Sequence, residues 1–173
     1  INAVVERGVN DHTALDLARH FKGSGHILRF IEFMDVGNLN AWDRSRVVPS
    51  AELVALIDAG SPIEPMSPNY AGEVAERWRY VDGSGEIGFI SSVTQPFCTG
   101  CTRARLSPEG RLFTCLFASD GHDLKTPLRT GATDDELRAL IAGIWVGRSD
   151  RYSELRAETG SSGHKVEMYQ IGG

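Results

Sequence analysis

The sequence predicts an α/β protein in which a parallel βαβ unit is followed by a part built on antiparallel hairpins. Two apolar runs, 1–5 and 26–34, flank an amphipathic helix at 11–22, and strands in this arrangement are parallel. Farther along, two pairs of strand-like segments each flank a glycine-containing turn, which is typical of hairpins. Of the 173 residues, 41% are hydrophobic and 24% are charged, the balance of an ordinary globular protein.

The βαβ unit is predicted to span residues 1–34, within a first domain that ends at residue 49. The opening run INAVV is apolar throughout, as in a strand that is buried on both faces of a sheet. Because the chain has no initiator Met and opens on such a strand, we expect a preceding portion of the protein to be missing. Asn10 or Asp11 can cap the helix, and Gly23 can end it. Residues 34–40 follow the second strand, at the edge where α/β sheets bind ligands.

Residues 50–173 are predicted to form a second domain of α+β structure. A short helix opens it, and a loop with three prolines follows at 61–72. The expected elements are a helix at 50–58, a hairpin of strands 75–81 and 86–91, a hairpin of strands 102–106 and 111–116, and a helix opened by the capping box Thr133–Glu136.

The chain contains three cysteines, Cys98, Cys101 and Cys115, with the spacing C-x2-C-x13-C. This clustering favours metal binding in a reducing, cytoplasmic compartment over a disulfide framework. Three thiolates on a four-iron cluster leave one iron open to a substrate. A closed zinc site takes four ligands, and His122 could supply the fourth. The spacing alone does not distinguish an iron–sulfur cluster from a zinc site. A third possibility is that the three cysteines are unreactive core residues that bind no metal.

The second hairpin explains how Cys115 could return to the CxxC. If the hairpin is symmetric about Pro108 and Glu109, Cys115 pairs opposite Thr102 and lies beside Cys101. Alternation along the strand then places Arg103 and Arg105 on one face. Two guanidinium groups beside an open iron would suit an anionic substrate with phosphate oxygens. The same two arginines on a solvated strand face would be ordinary surface residues, and spacing does not separate these readings.

The segment PFCTGCTRARLSPEGRLFTCLF resembles the C-terminal cluster motif of the GTP 3′,8-cyclase family, radical SAM enzymes of the first step of molybdenum cofactor biosynthesis. RFIEFMDVG, INAVVERGVND and the closing HKVEMYQIGG also resemble this family, so that the resemblance covers essentially the whole chain. It implies the C-terminal half of such an enzyme. Residues 1–49 would be the final βα units of an incomplete, TIM-like radical SAM barrel, and residues 50–173 an auxiliary-cluster, GTP-binding domain.

The resemblance also implies roles for individual residues. Cys98, Cys101 and Cys115 would ligate an auxiliary [4Fe-4S] cluster. Arg103, Ala104 and Arg105 would contact GTP, and Met34 would contact S-adenosylmethionine (SAM). Arg29, Gly172 and Gly173 would have catalytic roles. From the residues alone, Arg29 could instead pair with Glu32. The family's CxxxCxxC motif, which holds a second [4Fe-4S] cluster, does not occur in this sequence. We therefore expect no catalysis by this chain alone.

The partners implied by the resemblance are GTP, SAM, a second copy of the chain and the next enzyme of the pathway. The whole enzyme would convert GTP to 3′,8-cyclo-7,8-dihydro-GTP by radical chemistry. The net charge of −5 argues against nucleic acid as a partner. No apolar run approaches the roughly 18 residues of a membrane span, and no targeting segment is visible. A non-catalytic zinc module and a different radical SAM enzyme with an auxiliary cluster are the alternative functions.

Overall fold

The computed structural model describes residues 1–159 and 165–171. In this part of the chain the strands are β1 (Asn2–Val5), β2 (Leu28–Glu32), β3 (Ile63–Pro65), β4 (Glu76–Tyr80), β5 (Glu86–Ile90), β6 (Arg105–Leu106), β7 (Arg111–Phe113) and β8 (His122–Asp123). The α-helices are α1 (Ala14–Phe21), α2 (Ser50–Gly60), α3 (Lys125–Arg129), α4 (Asp134–Val146) and α5 (Tyr152–Thr159). None of the described helices is long and apolar enough to cross a membrane.

The chain divides into two compact units. The first unit comprises residues 1–34 and 42–101, and the second comprises residues 35–41 with the described residues from 102 onward. The sheet of the first unit continues well past residue 49, because β3, β4 and β5 all belong to it. The boundary between the two units therefore does not fall between residues 49 and 50. The assignment of residues 1–49 to a barrel and of residues 50–173 to a cluster domain stays a prediction.

The first unit is a mixed five-stranded sheet with the order β1-β2-β5-β4-β3. Strands β1 and β2 are parallel and α1 connects them, which confirms the predicted βαβ unit. Strand β5 is parallel to β2 and antiparallel to β4, which confirms the first predicted hairpin. Strand β3 lies where a loop was predicted. Among the described strands it pairs with β4 alone, and Pro65 is tolerated in it because it is an edge strand.

One face of this sheet forms the core with α1 and α2. Phe30 and Phe89 are register partners whose rings stack at 6.1 Å, and both are at most 1% exposed. Burial of each such side chain contributes about 1.5–3 kcal/mol. Strand β1 lies at the edge, where Val5 is 2% exposed but Val4 is 47% exposed. The prediction that this strand is buried on both faces is therefore wrong for the described sheet.

The turn between β1 and α1 corrects the predicted helix cap. A 3-10 turn at Asp11–Thr13 precedes α1, and neither it nor α1 has a side-chain cap at its N-terminus. The Asn10 side chain instead accepts the Glu6 N–H at 2.8 Å and donates to the Val4 carbonyl at 2.8 Å. Asn10 thus satisfies backbone groups of the turn, a competing use of Asn that sequence spacing does not distinguish from capping.

The second unit contains a small antiparallel sheet with the order β6-β7-β8. Its first hairpin has Leu106 opposite Leu112, one position away from the predicted register. The Gly110 N–H donates to the Ser107 carbonyl at 2.9 Å, and Gly110 has a φ of 79°. A turn followed by a left-handed glycine adds one residue to the loop. The prediction that Cys115 pairs opposite Thr102 is therefore wrong, and the paired segment stops at Arg105.

Helix α4 begins at the predicted capping box, in which Thr133 and Glu136 bond reciprocally. The predicted apolar face is present, but no residue of the helix is buried. Ile141 and Trp145 are 42% and 37% exposed. With Ala104 and Leu112 they line an open groove of about 580 Å³.

Replacement of Gly110 by Ala is expected to destabilise the protein more than the same replacement of Gly83. Both glycines have left-handed backbones, with φ of 79° and 77°, which cost a residue with a Cβ about 1–2 kcal/mol. A Cβ on Gly110 would also lie 2.8 Å from the Lys125 Cβ, whereas one on Gly83 would meet nothing within 4 Å. Denaturant unfolding measures both losses, and equal values would contradict the close approach at Gly110.

Candidate functional site

The CxxC lies in a tight turn at the end of the first unit. The Cys101 N–H donates to the Cys98 carbonyl at 3.2 Å, so the two residues stand at the two ends of one turn. Both side chains are half-buried, and neither is in a disulfide. Two thiols held by one short turn are the usual start of a metal-binding ligand set.

Cys115 lies in the second unit, two residues after β7. The Phe117 N–H donates to the Cys115 Sγ at 3.4 Å, and the Ala118 N–H donates to the Cys115 carbonyl at 3.3 Å. Cys115 is half-buried and is not in a disulfide. Hydrogen bonds from backbone N–H groups to a ligand sulfur are among the contacts that tune iron–sulfur clusters.

Arg103 and Ala104 precede the hairpin of the second unit, and Arg105 is the first residue of its strand β6. Arg103 and Arg105 are half-buried and Ser107 is buried, whereas Ala104 and Leu106 are exposed. This alternation puts the two arginines on the same, inner side of the segment, as their spacing predicted. Ala104 lies on the other side and lines the groove beside α4.

Arg29 lies in the middle of β2, on the sheet face opposite the Phe30 core. Its register partner on β5 is Gly88, and a Cβ there would lie 3.2 Å from the Arg29 Cγ. Gly88 therefore leaves room for the arginine side chain. With the described residues, the Arg29 guanidinium forms no ion pair or hydrogen bond, so an anion could bind it without breaking an internal contact.

Glu32 does not pair with Arg29, because the two residues lie on opposite faces of β2. The Glu32 side chain is 1% exposed. It accepts backbone N–H groups of Ser50 at 2.9 Å and of Val93 and Thr94 at 2.8 Å each. The hydroxyls of Ser50 and Thr94 donate to it as well, at 3.3 Å and 2.5 Å. This buried carboxylate therefore ties the end of β2 to α2 and to the chain that leads to Cys98.

Met34 is half-buried and lies two residues beyond the end of β2. The predicted strand therefore ends before it, at Glu32. Gly172 and Gly173 lie outside the described residues. The residue before them, Ile171, is 1% exposed, so the chain is anchored up to that position.

The second unit contains a buried polar cluster around Asp35 that the sequence reasoning missed. Asp35 is 3% exposed. Its carboxylate lies 2.8 Å from the Arg156 Nε and 2.8 Å from the Lys165 Nζ, and the Tyr152 hydroxyl donates to it at 2.5 Å. Phe117 stacks on Tyr152 at 4.6 Å, and both cations lie over these rings. The available signal was an acidic residue shortly after the end of a strand.

The charge of Asp35 is maintained by its partners. Burial by itself would raise the pKa of Asp35, but hydrogen bonds from Lys165 and Tyr152 and the positive charge of Arg156 outweigh it, so the pKa lies below its ordinary value. Burial and the hydrogen bond to Asp35 both raise the pKa of Tyr152. Asp35 therefore remains ionised at neutral pH, with two buried cations beside it.

A second set of contacts joins the segment after β2 to the residues that follow 164. The Asn38 side chain accepts the Lys165 N–H at 3.0 Å and donates to the Lys165 carbonyl at 2.6 Å. The Glu167 carboxylate accepts the Asn38 N–H at 2.7 Å. Within the second unit, residues 35–38 thus hold residues 165–167 in a defined register.

The chemistry of the cysteines fits an iron–sulfur cluster, because each of the three is a thiol rather than half of a disulfide. Within residues 1–159 and 165–171, no three His, Cys, Asp or Glu residues are grouped in a way that could hold a metal ion. His122 lies in β8 with its backbone paired to Leu112, and its side chain is exposed. Both the cluster ligands and the zinc alternative stay predictions.

The sequence profile of the family described as Molybdenum Cofactor Synthesis C matches residues 26–154. The chain belongs to this family. Curated relatives include a protein of Xanthomonas axonopodis pv. citri (strain 306), which is 53% identical over 173 residues, 100% of this chain and 51% of the relative. Another, from Acidothermus cellulolyticus, is 55% identical over 161 residues, 91% of this chain and 44% of the relative.

A relative from Staphylococcus saprophyticus is 44% identical over 177 residues, 100% of this chain and 52% of the relative. All three relatives are named GTP 3′,8-cyclase, which confirms the resemblance drawn from the sequence. The chain spans about half the length of the curated relatives it matches.

Replacement of Asp35 by Asn is expected to destabilise the protein by about 3–5 kcal/mol, because Lys165 and Arg156 would keep buried charges without their carboxylate. Since the folded-state pKa of Asp35 is lowered, its contribution is present above the ordinary value of 3.8 and is lost as the pH falls through the lower, folded-state pKa. Denaturant unfolding at a series of pH values from neutral to strongly acidic measures this. The free energy of unfolding should fall more steeply with decreasing pH for the wild type than for the variant.

The matched control is Asp135→Asn, which removes a carboxylate that is 91% exposed and pairs with Arg138 on the surface of α4. This variant should unfold like the wild type at neutral pH. If the two variants lose the same free energy of unfolding, the Asp35 cluster does not stabilise the protein as expected.

Proposed function

We propose that the chain is the substrate-binding half of a GTP 3′,8-cyclase. In this proposal Cys98, Cys101 and Cys115 ligate an auxiliary [4Fe-4S] cluster, and Arg103 and Arg105 bind the triphosphate of GTP. The whole enzyme would use SAM-derived radical chemistry to cyclise GTP in molybdenum cofactor biosynthesis. The name shared by the relatives supports this proposal.

The observation that carries the proposal is the combination of a three-thiol motif with two arginines on one side of the segment that follows it. Three thiolates leave one iron of a cluster with an open position, which is the chemistry that the bound cluster supplies. Guanidinium groups form bidentate, charge-assisted hydrogen bonds with phosphate oxygens. Together these groups would recognise a nucleotide at both its base and its phosphates, with Ala104 as the small residue between the arginines.

The remaining site residues receive their roles from the same proposal. Arg29 would stabilise negative charge on the substrate, since its guanidinium is not engaged by the described residues. Met34 would contact SAM, and the terminal Gly172 and Gly173 would approach the reacting groups closely, as residues without a Cβ can. The chain has no CxxxCxxC motif, so we propose that it does not catalyse the reaction alone.

The proposal also includes the partners of the whole enzyme. SAM would be its second substrate, and two copies of the protein would form a homodimer. The product would pass to the next enzyme of the pathway, and all steps would take place in the cytoplasm.

After anaerobic treatment with iron and sulfide, the protein is expected to show the broad visible absorption of a [4Fe-4S] cluster and to retain iron through gel filtration. Cys115→Ser should lose this iron because it removes one of three thiolate ligands. His122→Ala is the control and should keep the iron. A colourless protein that binds zinc and releases it on replacement of His122 would establish the zinc module instead.

Replacement of either Arg103 or Arg105 by Ala is expected to weaken GTP binding to the reconstituted protein by about 10-fold or more, because each loses charge-assisted hydrogen bonds worth about 1.5–3 kcal/mol. Calorimetric titration with GTP measures the effect. Titration with guanosine, which has no phosphates, should be affected much less.

The control for the arginine variants is Arg138→Ala. Arg138 is 73% exposed on α4 and pairs with Asp135. Its replacement removes one positive charge, as the other two variants do, without removing a proposed ligand. Unchanged GTP affinity in both arginine variants, or an equal loss in the control, would count against the assignment.

A further inference from the structure

We infer that Glu32 is a positioning residue for the CxxC turn, an inference that rests on the proposed ligand role of Cys98 and Cys101. Glu32 ends β2, and its carboxylate holds the chain that leads from β5 to Cys98. Glu32 and both of these cysteines lie in the first unit.

The two oxygens of Glu32 have different partners. Oε2 accepts the N–H groups of Val93 and Thr94, at 2.8 Å each. Oε1 accepts the Thr94 hydroxyl at 2.5 Å and the N–H and hydroxyl of Ser50 at 2.9 Å and 3.3 Å. Three of the five hydrogen bonds therefore fix Val93 and Thr94, and the other two fix the first turn of α2.

The chain between Thr94 and Cys98 has little freedom to absorb a displacement. Val93 is 7% exposed, and the Gln95 N–H donates to the Ser91 carbonyl at 3.0 Å, which closes a turn around the anchored residues. Pro96 then fixes its own φ at about −65°, and the Cys98–Cys101 turn begins two residues later. A shift of Thr94 would therefore be transmitted to Cys98 rather than lost in a flexible linker.

Only a carboxylate satisfies this arrangement. Each oxygen of Glu32 faces at least one backbone N–H, that of Ser50 at Oε1 and those of Val93 and Thr94 at Oε2. In a glutamine, one of these positions becomes an NH₂ group, which donates and cannot accept. The interaction of Ser50 also places the negative charge at the N-terminus of α2, where the helix dipole favours it.

A role as a general anchor of the fold would explain the same contacts, and two hydroxyl variants separate the two roles. Thr94→Val and Ser50→Ala each remove one hydroxyl that donates to Oε1. The first loosens the side that leads to Cys98, and the second loosens the side of α2. Thr94→Ser keeps the hydroxyl and should behave like the wild type.

The first readout is the rate at which a chelator removes iron from the reconstituted protein under anaerobic conditions. Loss of a residue that orients metal ligands typically costs 10–100-fold in metal affinity, and we expect Thr94→Val to release iron about 10-fold faster. Ser50→Ala should match the wild type. Glu32→Gln should show the larger effect, with its fold checked by circular dichroism.

The second readout needs no metal. In the metal-free protein, iodoacetamide alkylation followed by mass spectrometry gives a separate rate for each cysteine, with Cys115 as the internal reference. Thr94→Val should raise the rates of Cys98 and Cys101 relative to Cys115, and Ser50→Ala should leave this ratio unchanged. The ratio tests the positioning role even if the wild-type protein takes up no iron, a result that would refute the proposed function alone.

Two results would overturn the inference. One is an unchanged iron-release rate and alkylation ratio in Thr94→Val. The other is an equal change in Thr94→Val and Ser50→Ala that follows their losses of unfolding free energy, since this is the behaviour of a general fold anchor.

Discussion

A carboxylate that is removed from water must receive hydrogen bonds or cations to compensate for its lost hydration, and this constraint decides how each unit is built. In the first unit, the buried Glu32 collects five donors from α2 and from residues 93 and 94. In the second unit, the buried Asp35 collects Arg156, Lys165 and Tyr152. In each case one carboxylate brings together segments that are far apart in sequence.

These two carboxylates come from one short stretch of chain, which begins at the end of β2. In sheets with parallel strands, ligands bind among the loops at the carboxyl ends of the strands. In each unit, a residue from this stretch therefore holds a segment that the proposed function uses. Arg29 lies within the strand, Glu32 holds the approach to the CxxC turn, and the Asp35 cluster holds the residues that precede the terminal glycines. Within each unit, the segments named in the proposed function thus depend on structural polar contacts as well as on the residues expected to touch substrate.

Local signals predicted most of the fold because they act over a few residues. Alternation and apolar runs indicated β1, β2, β4 and β5, and the capping box located the start of α4. Two of the failures have equally local causes, and the third arises from pairing with a distant strand. Gly110 adds a residue to its turn and shifts the hairpin register, Asn10 binds backbone groups of the turn instead of capping, and the short edge strand β3 exists only because β4 offers it a partner.

The sequence by itself determined the family, the thiol motif and the alternation of Arg103 and Arg105, because these depend on residue identity and on spacings within one segment. It could not determine which groups meet across long separations. Glu32 accepts a hydrogen bond from residue 94, and Asp35 pairs with residue 165. These contacts form because a buried carboxylate requires donors, and the packing of the chain places these donors beside it. Those pairings depend on the energy of desolvation in the folded protein, and therefore only the tertiary structure decided them.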